Sequence, residues 1–254
     1  MSGDAFAGKV AVVTGGSAGI GLAIARAFAR EGARVAIAGR GKTGLERAAS
    51  EIEEEVGTEV LPIPADVASP HDCARIVATA AERLEGLDIL VNNAAHFALV
   101  PLAEADPVEA ERFFNVNVLG PMHCARAFAA YAFEAGRPGA IVNISSIAGA
   151  RPAPGCGLYS ATKAALESLT RSMALEWGPR GIRVNAVSPG HVNTEGVLAD
   201  LRAGRLDQAA LLKSIPARRI ADVGDVADAV LFLCSDKARH IMGQALTVDG
   251  GEGF

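Results

Sequence analysis

Short apolar runs alternate along the chain with longer stretches in which apolar residues recur at helical spacing. Several of the short runs are apolar at consecutive positions, as expected for parallel strands that are covered on both faces. We predict seven strands from these runs: Val10–Thr14, Arg34–Ala38, Glu59–Pro64, Asp88–Asn92, Ala140–Ser145, Arg183–Ser188 and Ala245–Val248.

Six helical stretches separate the predicted strands: Gly19–Glu31, Lys42–Glu55, His71–Leu84, Val108–Phe133, Tyr159–Trp177 and Val223–Leu233. This alternation predicts an α/β fold with a parallel sheet and right-handed crossovers. A TIM barrel shows similar alternation at this length. A glycine-rich loop directly after the first strand favours the open, doubly wound Rossmann-type sheet instead.

Residues 193–217 lie between the sixth strand and the last predicted helix. They have no clear strand pattern and are rich in leucine and alanine. We interpret this stretch as a mobile helical lid over a substrate. Its leucines would suit an apolar substrate wall, and they would equally suit packing on the core.

Composition narrows the class of protein. The chain has 254 residues, half of them hydrophobic, which suits one large domain spanning residues 1–254. The net charge is −5 without a basic block, so we expect no nucleic-acid partner. The apolar runs are too short for a membrane helix, and the first residues do not resemble a secretory signal. The four cysteines are scattered, so we expect a cytoplasmic protein with reduced thiols and no bound metal.

The loop after the first strand reads Thr14-Gly15-Gly16-Ser17-Ala18-Gly19-Ile20-Gly21. Gly15 suits a tight turn, Gly19 a close approach to a pyrophosphate, and Gly21 a close approach of helix to strand. The helix that follows adds partial positive charge. Glycines alone are a weak signal, because tight turns need them for steric reasons too. Their place after the first strand predicts a dinucleotide site that includes Ser17 and Ile20.

The second strand ends in Ala38-Gly39-Arg40, without the acid that would accept a ribose 2′-hydroxyl. Arg40 offers a fork for a 2′-phosphate, so we expect NADP as the preferred cofactor, with NAD as the alternative. A solvated surface arginine is the other interpretation of Arg40. After the third strand, Asp66-Val67 leaves two hypotheses open: the carboxylate accepts from an adenine amino group, or it caps the helix near Pro70.

Tyr159 and Lys163 are four residues apart, which places them on one face of a helix. A phenol has a pKa near 10, so only about one in a thousand is ionised at pH 7. We expect the Lys163 ammonium to lower this pKa, which would let Tyr159 act as a general acid and base. Such a pair alone is more often an exposed helix pair, so its meaning depends on its neighbours.

Polar residues gather at the ends of the predicted strands. Ser146, which is 13 residues before Tyr159, follows the fifth strand. Asn92–Ala95 ends the fourth strand, and Ser188–Gly190 ends the sixth. Ligands of doubly wound sheets bind at the carboxyl ends of the strands. Asn117 lies in a predicted helix, where a functional role and a solvated side chain are alternatives.

These motifs together resemble the short-chain dehydrogenase/reductase family. They cover essentially the whole chain in order: Thr14–Gly21, Asn92–Ala94, Ser146, Tyr159 with Lys163, Pro189-Gly190 and Val248–Gly251. The resemblance implies a Rossmann sheet of seven strands in the order 3-2-1-4-5-6-7. It also implies hydride transfer between a nicotinamide and a small-molecule carbonyl or secondary alcohol.

The resemblance further implies roles for single residues. Tyr159 would be the general acid/base, Lys163 would bind the nicotinamide ribose, and Ser146 would polarise the substrate carbonyl. Asn117 would hold a water in a proton relay through Lys163. Further cofactor contacts are implied for Asn93, Ala94, Pro189, Gly190, Val192 and Thr194.

Two positions depart from the family pattern. Ala95 stands where the family has glycine, and it would add a methyl group beside the cofactor. Ser145 adjoins Ser146, so the choice of catalytic serine rests on the 13-residue spacing to Tyr159.

Alternative functions remain within and beyond this family. A 3-oxoacyl-thioester reductase would use Arg137 and Arg180 to dock an acyl-carrier protein, although both also suit an ordinary surface. A non-catalytic nucleotide sensor on the same fold would be expected to lose Tyr159 or Lys163. The resemblance also implies a homotetramer, built on the two longest predicted helices. Three alanines would permit close packing there: Ala125, Ala129 and Ala132.

Overall fold

All seven predicted strands are present in the computed structural model, which describes residues 4–253. They are β1 (Val10–Thr14), β2 (Arg34–Gly39), β3 (Val60–Pro64), β4 (Ile89–Asn92), β5 (Gly139–Ile144), β6 (Ile182–Pro189) and β7 (Ala245–Val248). Every pair of neighbours is parallel, and the order is β3-β2-β1-β4-β5-β6-β7. The predicted fold and strand order are confirmed. The order reverses between β1 and β4, where such sheets open a crevice at their carboxyl edge.

Nine α-helices occur in the described residues. They are α1 (Gly19–Arg30), α2 (Lys42–Val56), α3 (Pro70–Arg83), α4 (Pro107–Phe114), α5 (Gly120–Ala135), α6 (Gly157–Trp177), α7 (Glu195–Arg202), α8 (Gln208–Ser214) and α9 (Val223–Cys234). One apolar cluster buries residues of α1, α2 and α9, and a second buries residues of α3, α5 and α6. The sheet therefore has helices on both faces, as the consecutive apolar residues of its strands predict.

The long helix predicted over Val108–Phe133 is interrupted. Helices α4 and α5 are joined by a π-helical turn over Asn115–Leu119, in which Asn117 is fully buried. Such turns widen the backbone by one residue and are frequent at functional sites. Apolar spacing did not reveal this interruption, because a single turn hardly disturbs the pattern on either side.

The alanines proposed for a subunit interface lie elsewhere. Ala125, Ala129 and Ala132 are buried in the core between α5 and the sheet. Their small side chains let α5 approach the strands, so the expectation that they form an outer packing face is wrong.

Residues 193–217 contain α7 and α8. Leu211 and Ile215 form a small apolar cluster with Ile220, separate from the two clusters that cover the sheet, and Leu201 and Leu212 pack against it. Across residues 4–253, no helix combines the length and the apolar character that a bilayer crossing requires.

Candidate active site

The end of β4 is fastened to the glycine loop. The Thr14 hydroxyl accepts from the backbone N–H groups of Asn93 (3.0 Å) and Ala94 (3.1 Å). The Asn93 side-chain amide donates to the carbonyl oxygens of Thr14 (3.0 Å) and Gly15 (3.1 Å). These four bonds hold the loop in one shape beside the crevice.

The same contacts explain two of the glycines. Gly15 has a φ of +66°, and a Cβ there would lie 2.8 Å from the Asn93 amide nitrogen. A Cβ on Gly21 would overlap the Gly15 carbonyl oxygen. Gly19 has a φ of +54° and faces Thr194, whose methyl carbon would lie 3.5 Å from a Cβ at this position. Gly15 and Gly21 are thus required by the protein's own close contacts, beyond any need for a phosphate.

A cavity of about 640 Å³ opens beside this loop. Ten of the residues expected to contact the cofactor line it: Gly15, Ser17, Ile20, Gly21, Arg40, Asp66, Val67, Asn93, Ala94 and Thr194. The amino end of α1 also opens into it, because its N-cap Ala18 lines the cavity and offers no capping side chain. Free N–H groups at a helix start suit a pyrophosphate, so these residues fit a dinucleotide.

Arg40 lies exposed at the edge of this cavity. Within residues 4–253 no carboxylate pairs with Arg40, whereas nearby Lys42 lies 3.7 Å from Glu46. Its guanidinium is available to an anion in the cavity.

Asp66 does not cap α3. The cap is Ser69, whose hydroxyl accepts from the Asp72 backbone N–H (3.2 Å). Asp66 instead accepts from the Ala68 backbone N–H (3.0 Å) in a local turn and lines the cavity. The capping alternative for Asp66 is therefore wrong.

Tyr159 and Lys163 lie on α6, as predicted. The Lys163 ammonium is 5.4 Å from the centre of the Tyr159 ring and donates to the Ile144 carbonyl (2.7 Å). Phe97, which lines the cavity, packs its edge on the Tyr159 ring with centroids 5.0 Å apart. The Tyr159 side chain therefore stands next to the end of the cavity.

Burial has the largest effect on the pKa values of Tyr159 and Lys163. It raises the pKa of Tyr159 to about 12, and the adjacent Ser146 hydroxyl acts in the opposite direction. Burial also lowers the pKa of Lys163 to about 8, against the attraction of Glu167. The Tyr159 pKa in the polypeptide by itself is therefore not lowered toward neutrality as expected, because the phenolate loses more hydration on burial than its neighbours return.

The structure distinguishes the two adjacent serines. Ser145 is buried, and its hydroxyl donates to Glu167 (2.8 Å). Ser146 is partly exposed and accepts from the Ala148 backbone N–H (3.1 Å) at the start of a short 3₁₀ turn. Successive side chains of an extended strand point to opposite sides, so only Ser146 stands beside Tyr159.

The Asn117 side chain is bonded to the loop that follows β4. Its side chain accepts from the His96 backbone N–H (2.7 Å) and donates to the His96 carbonyl (2.9 Å). It also donates to the Thr162 hydroxyl on α6 (3.1 Å). Both N–H hydrogens of the Asn117 amide are therefore already paired, and its side-chain oxygen accepts one bond.

Six of the expected cofactor residues are not among those that line the cavity: Gly19, Tyr159, Lys163, Pro189, Gly190 and Val192. Pro189 ends β6, Gly190 donates its N–H to the Val248 carbonyl (3.1 Å), and Val192 is buried in a bridge with Ala221. A Cβ on Gly190 would contact the Glu252 carboxylate at 2.6 Å.

Three contacts of the site are not predicted from the sequence. The first is the contact of Phe97 with Tyr159, and the second is Glu167 beside Ser145. The third is a pair in which His191 Nδ1 lies 2.5 Å from Glu252. Only Glu167 carried a signal, since it repeats the four-residue spacing that joins Tyr159 to Lys163.

A Rossmann-type sheet with a dinucleotide-sized cavity beside a Ser–Tyr–Lys group is the arrangement of a nicotinamide-dependent oxidoreductase. The family model described as Enoyl-(Acyl carrier protein) reductase matches residues 15–252. The chain belongs to the short-chain dehydrogenase/reductase family, as the motifs predicted. It is an NAD(P)-dependent oxidoreductase that acts on CH–OH and C=O groups of small molecules.

Individual relatives cover nearly the whole chain. Sorbitol dehydrogenase from Cereibacter sphaeroides is 39% identical over 254 residues, covering 96% of this chain and 97% of that protein. Glucose 1-dehydrogenase from Gluconobacter oxydans is 36% identical over 252 residues, covering 98% and 93%. The crystal structure of 3-ketoacyl-(acyl-carrier-protein) reductase from Brucella melitensis, complexed with NADH, matches with a TM-score of 0.88 and 34% identity, covering 98% and 100%.

Proposed function

We propose that this protein interconverts a small polar secondary alcohol, of the polyol or sugar type, and the corresponding carbonyl compound. The observation that carries the proposal is that Tyr159, with Ser146 and Lys163 beside it, packs against Phe97, which lines the dinucleotide-sized cavity. The names of the sorbitol and glucose dehydrogenases support the polyol or sugar class.

The proposed chemistry divides between cofactor and protein. A bound nicotinamide supplies or accepts the hydride. In the reductive direction Tyr159 donates its proton to the developing alkoxide, and a pKa of about 12 keeps it protonated throughout the neutral range. Ser146 donates a hydrogen bond to the same oxygen. The phenolate left on Tyr159 by this step would be stabilised by the buried Lys163 ammonium, and in the oxidative direction the same phenolate would accept the proton of the alcohol.

The remaining contacts of the cofactor are proposed from position. The glycine loop, with Gly15, Ser17, Gly19, Ile20 and Gly21, would hold the pyrophosphate at the start of α1. Asp66 and Val67 would contact the adenine, Asn93 and Ala94 the central part of the cofactor, and Pro189 to Thr194 its nicotinamide end. Asn117 would accept a hydrogen bond from the relay water through an oxygen, because both hydrogens of its side-chain amide are already paired.

NADP is the proposed cofactor. The support is the free guanidinium of Arg40 at the cavity edge and the lack of a carboxylate at the end of β2. The NADH complex of the Brucella protein concerns that protein, and NAD remains the alternative for this chain.

We propose a single domain with a lid formed by α7 and α8. The apolar cluster around Leu211, which is separate from the two clusters that cover the sheet, supports a unit that can move separately from the core. The free cysteines Cys73, Cys124, Cys156 and Cys234 support a reducing compartment such as the cytoplasm.

A homotetramer is proposed on exposed apolar side chains. Phe232 on α9 is 40% exposed and Leu246 on the edge strand β7 is 37% exposed. Leu175 on α6 is 80% exposed. Apolar groups at a sheet edge and on long helices favour burial between subunits.

An acyl-thioester substrate is the second candidate, favoured by the likeness to the Brucella reductase. The two arginines considered for docking a carrier protein both have partners within the chain. Arg137 lies 3.1 Å from Asp88, and Arg180 stacks 3.3 Å above the Phe133 ring. These partners favour structural roles for Arg137 and Arg180.

A substrate panel tests the proposal. Purified protein is assayed with NADP and NAD against polyols, sugars and cyclic alcohols, and with NADPH against the ketones and an acetoacetyl thioester. We expect the highest kcat/KM with a polyol or sugar. A higher value with the thioester would replace this substrate class by the second candidate, and no hydride transfer with any compound would contradict the function.

A further inference from the structure

Glu167 lies one helical turn beyond Lys163 on α6, as Lys163 lies one turn beyond Tyr159. One oxygen of its carboxylate, Oε1, accepts from the Ser145 hydroxyl (2.8 Å) and from the Ser188 hydroxyl (2.7 Å). Both serines are buried, so the two bonds form away from solvent.

The two serines belong to neighbouring strand ends. Ser145 follows β5, Ser188 lies at the end of β6, and the Ser145 N–H donates to the Val187 carbonyl (2.7 Å). Each serine directly precedes part of the proposed site: Ser146 in one case and Pro189-Gly190 in the other. The Glu167 carboxylate therefore ties together the strand ends that carry these residues.

The position of Ser145 is part of a regular pattern on β5. Asn143, two residues earlier, also points to α6, and its amide donates to the Thr170 hydroxyl (2.8 Å). Alternate residues of a strand share a face, so Asn143 and Ser145 lock β5 to α6 and leave Ser146 directed to the crevice.

The charge of the Glu167 carboxylate has a second effect, on the neighbouring Lys163 ammonium. Lys163 is buried, and its ammonium donates to the neutral Ile144 carbonyl. Ser145, whose hydroxyl lies 3.4 Å from the Lys163 backbone carbonyl, and Asn117, whose amide bonds the adjacent Thr162, carry no charge. Glu109 of α4 is already paired with His96 at 2.6 Å. On α6 the ionisable neighbours of Lys163 are Tyr159, with Cys156 beside it, and Glu167, whose attraction opposes the effect of burial on the Lys163 pKa.

We propose that Glu167 is a positioning residue of the active site, which fixes Ser146 by joining β5 to β6 and holds its carboxylate one helical turn from the buried Lys163 ammonium. This inference rests on the proposed function for the roles of Ser146 and Lys163. Glu167 itself acts only through these neighbours and touches neither substrate nor cofactor.

Two variants separate the two effects. Glu167→Gln retains an oxygen that can accept from both serines but removes the charge. Ser188→Ala removes one hydrogen bond and keeps the charge. Glu176→Gln is the matched control, because Glu176 is an exposed carboxylate on the same helix.

Thermal unfolding without cofactor gives a readout that does not depend on activity. The Glu167–Lys163 attraction exists only while Lys163 is protonated, hence below about pH 8. Glu167→Gln should therefore lower Tm more at pH values well below 8 than at values well above 8. In a Lys163→Met background this pH dependence should disappear, and Glu176→Gln should show none. A Tm difference that is constant with pH in the Lys163 protein would overturn the charge effect.

Kinetics test the same inference in the working enzyme. Loss of the charge removes an attraction that raises the Lys163 pKa, so the alkaline limb of the kcat/KM profile of Glu167→Gln should move to lower pH. Ser188→Ala should lower kcat several-fold without moving that limb.

Profiles of both variants that match the wild-type profile would overturn the inference, and so would a uniform loss in Glu167→Gln without a shift. A wild-type protein without turnover would instead refute the proposed function, and the unfolding data would still decide the charge effect.

Discussion

Ser145 and Ser146 show how one step along a strand separates two roles. Ser145 points to α6 and bonds Glu167, whereas Ser146 lies beside Tyr159. The 13-residue spacing to Tyr159 selected Ser146 only through the family resemblance. Strand alternation gives the physical reason, but it could not be applied until the direction of the sheet face was known.

Tyr159 and Lys163 show that the spacing of two residues predicts a shared helix face but does not predict their burial. The four-residue spacing correctly predicted a shared helix face. It could not predict the depth of burial, which is set by distant segments such as the loop with Phe97. Burial decides the sign of the net change in the Tyr159 pKa, so the expectation of a net lowering was wrong for the polypeptide without cofactor.

Arg40 gives a test of cofactor choice. Arg40→Ala should raise KM for NADPH by about tenfold or more, because a charge-assisted contact with the 2′-phosphate is lost. KM for NADH should change little. Arg47→Ala, an exposed arginine on α2 that lies 3.7 Å from Glu51, is the control. Equal effects on both cofactors, or a wild-type preference for NADH, would contradict the NADP proposal.

Among the helices, strands and loops, those determined by residues close together in the sequence were predicted best. The strands, the glycine loop and α1 follow from short apolar runs and glycine positions, and their bounds agree within a few residues. The π-helical turn over Asn115–Leu119 was not predictable, because it depends on the Asn117 amide pairing with His96 and Thr162 across the fold.

The glycine loop can be tested as an element. Gly21→Ala should lower Tm by several degrees, because the new methyl group overlaps the Gly15 carbonyl and the Asn93 amide. Gly224→Ala on α9 is the control, since a Cβ there meets nothing within 4 Å. It should leave Tm unchanged or raise it slightly. Equal Tm values for the two variants would show that the loop adapts.

At the level of the whole chain, the strand order was implied by the family resemblance and is confirmed. Contacts between distant segments were not accessible from the sequence. The His191–Glu252 pair joins residues 61 positions apart, and the bonds of Glu167 join α6 to two strands. Nothing in the local sequence pattern specifies such pairs.

The proposed tetramer is a property of the assembled molecule. Light scattering of the wild-type protein should give four times the mass of one chain. A double change, Phe232→Glu with Leu246→Glu, should reduce this mass, because two exposed apolar groups at the β7 edge become charged. Leu246→Ile keeps the surface apolar and is the matched control. A monomeric wild-type protein would contradict the proposal.

The most direct test of the account is the turnover of Tyr159→Phe. This variant keeps the ring that packs on Phe97 and removes only the hydroxyl, so fold and cofactor affinity should be preserved. Tm and NADPH binding, followed by cofactor fluorescence, are the controls. With the best substrate of the panel, kcat should fall by about two to four orders of magnitude, because the proton donor is lost. A kcat within a few-fold of the wild-type value would contradict the assignment of Tyr159 as the acid/base group.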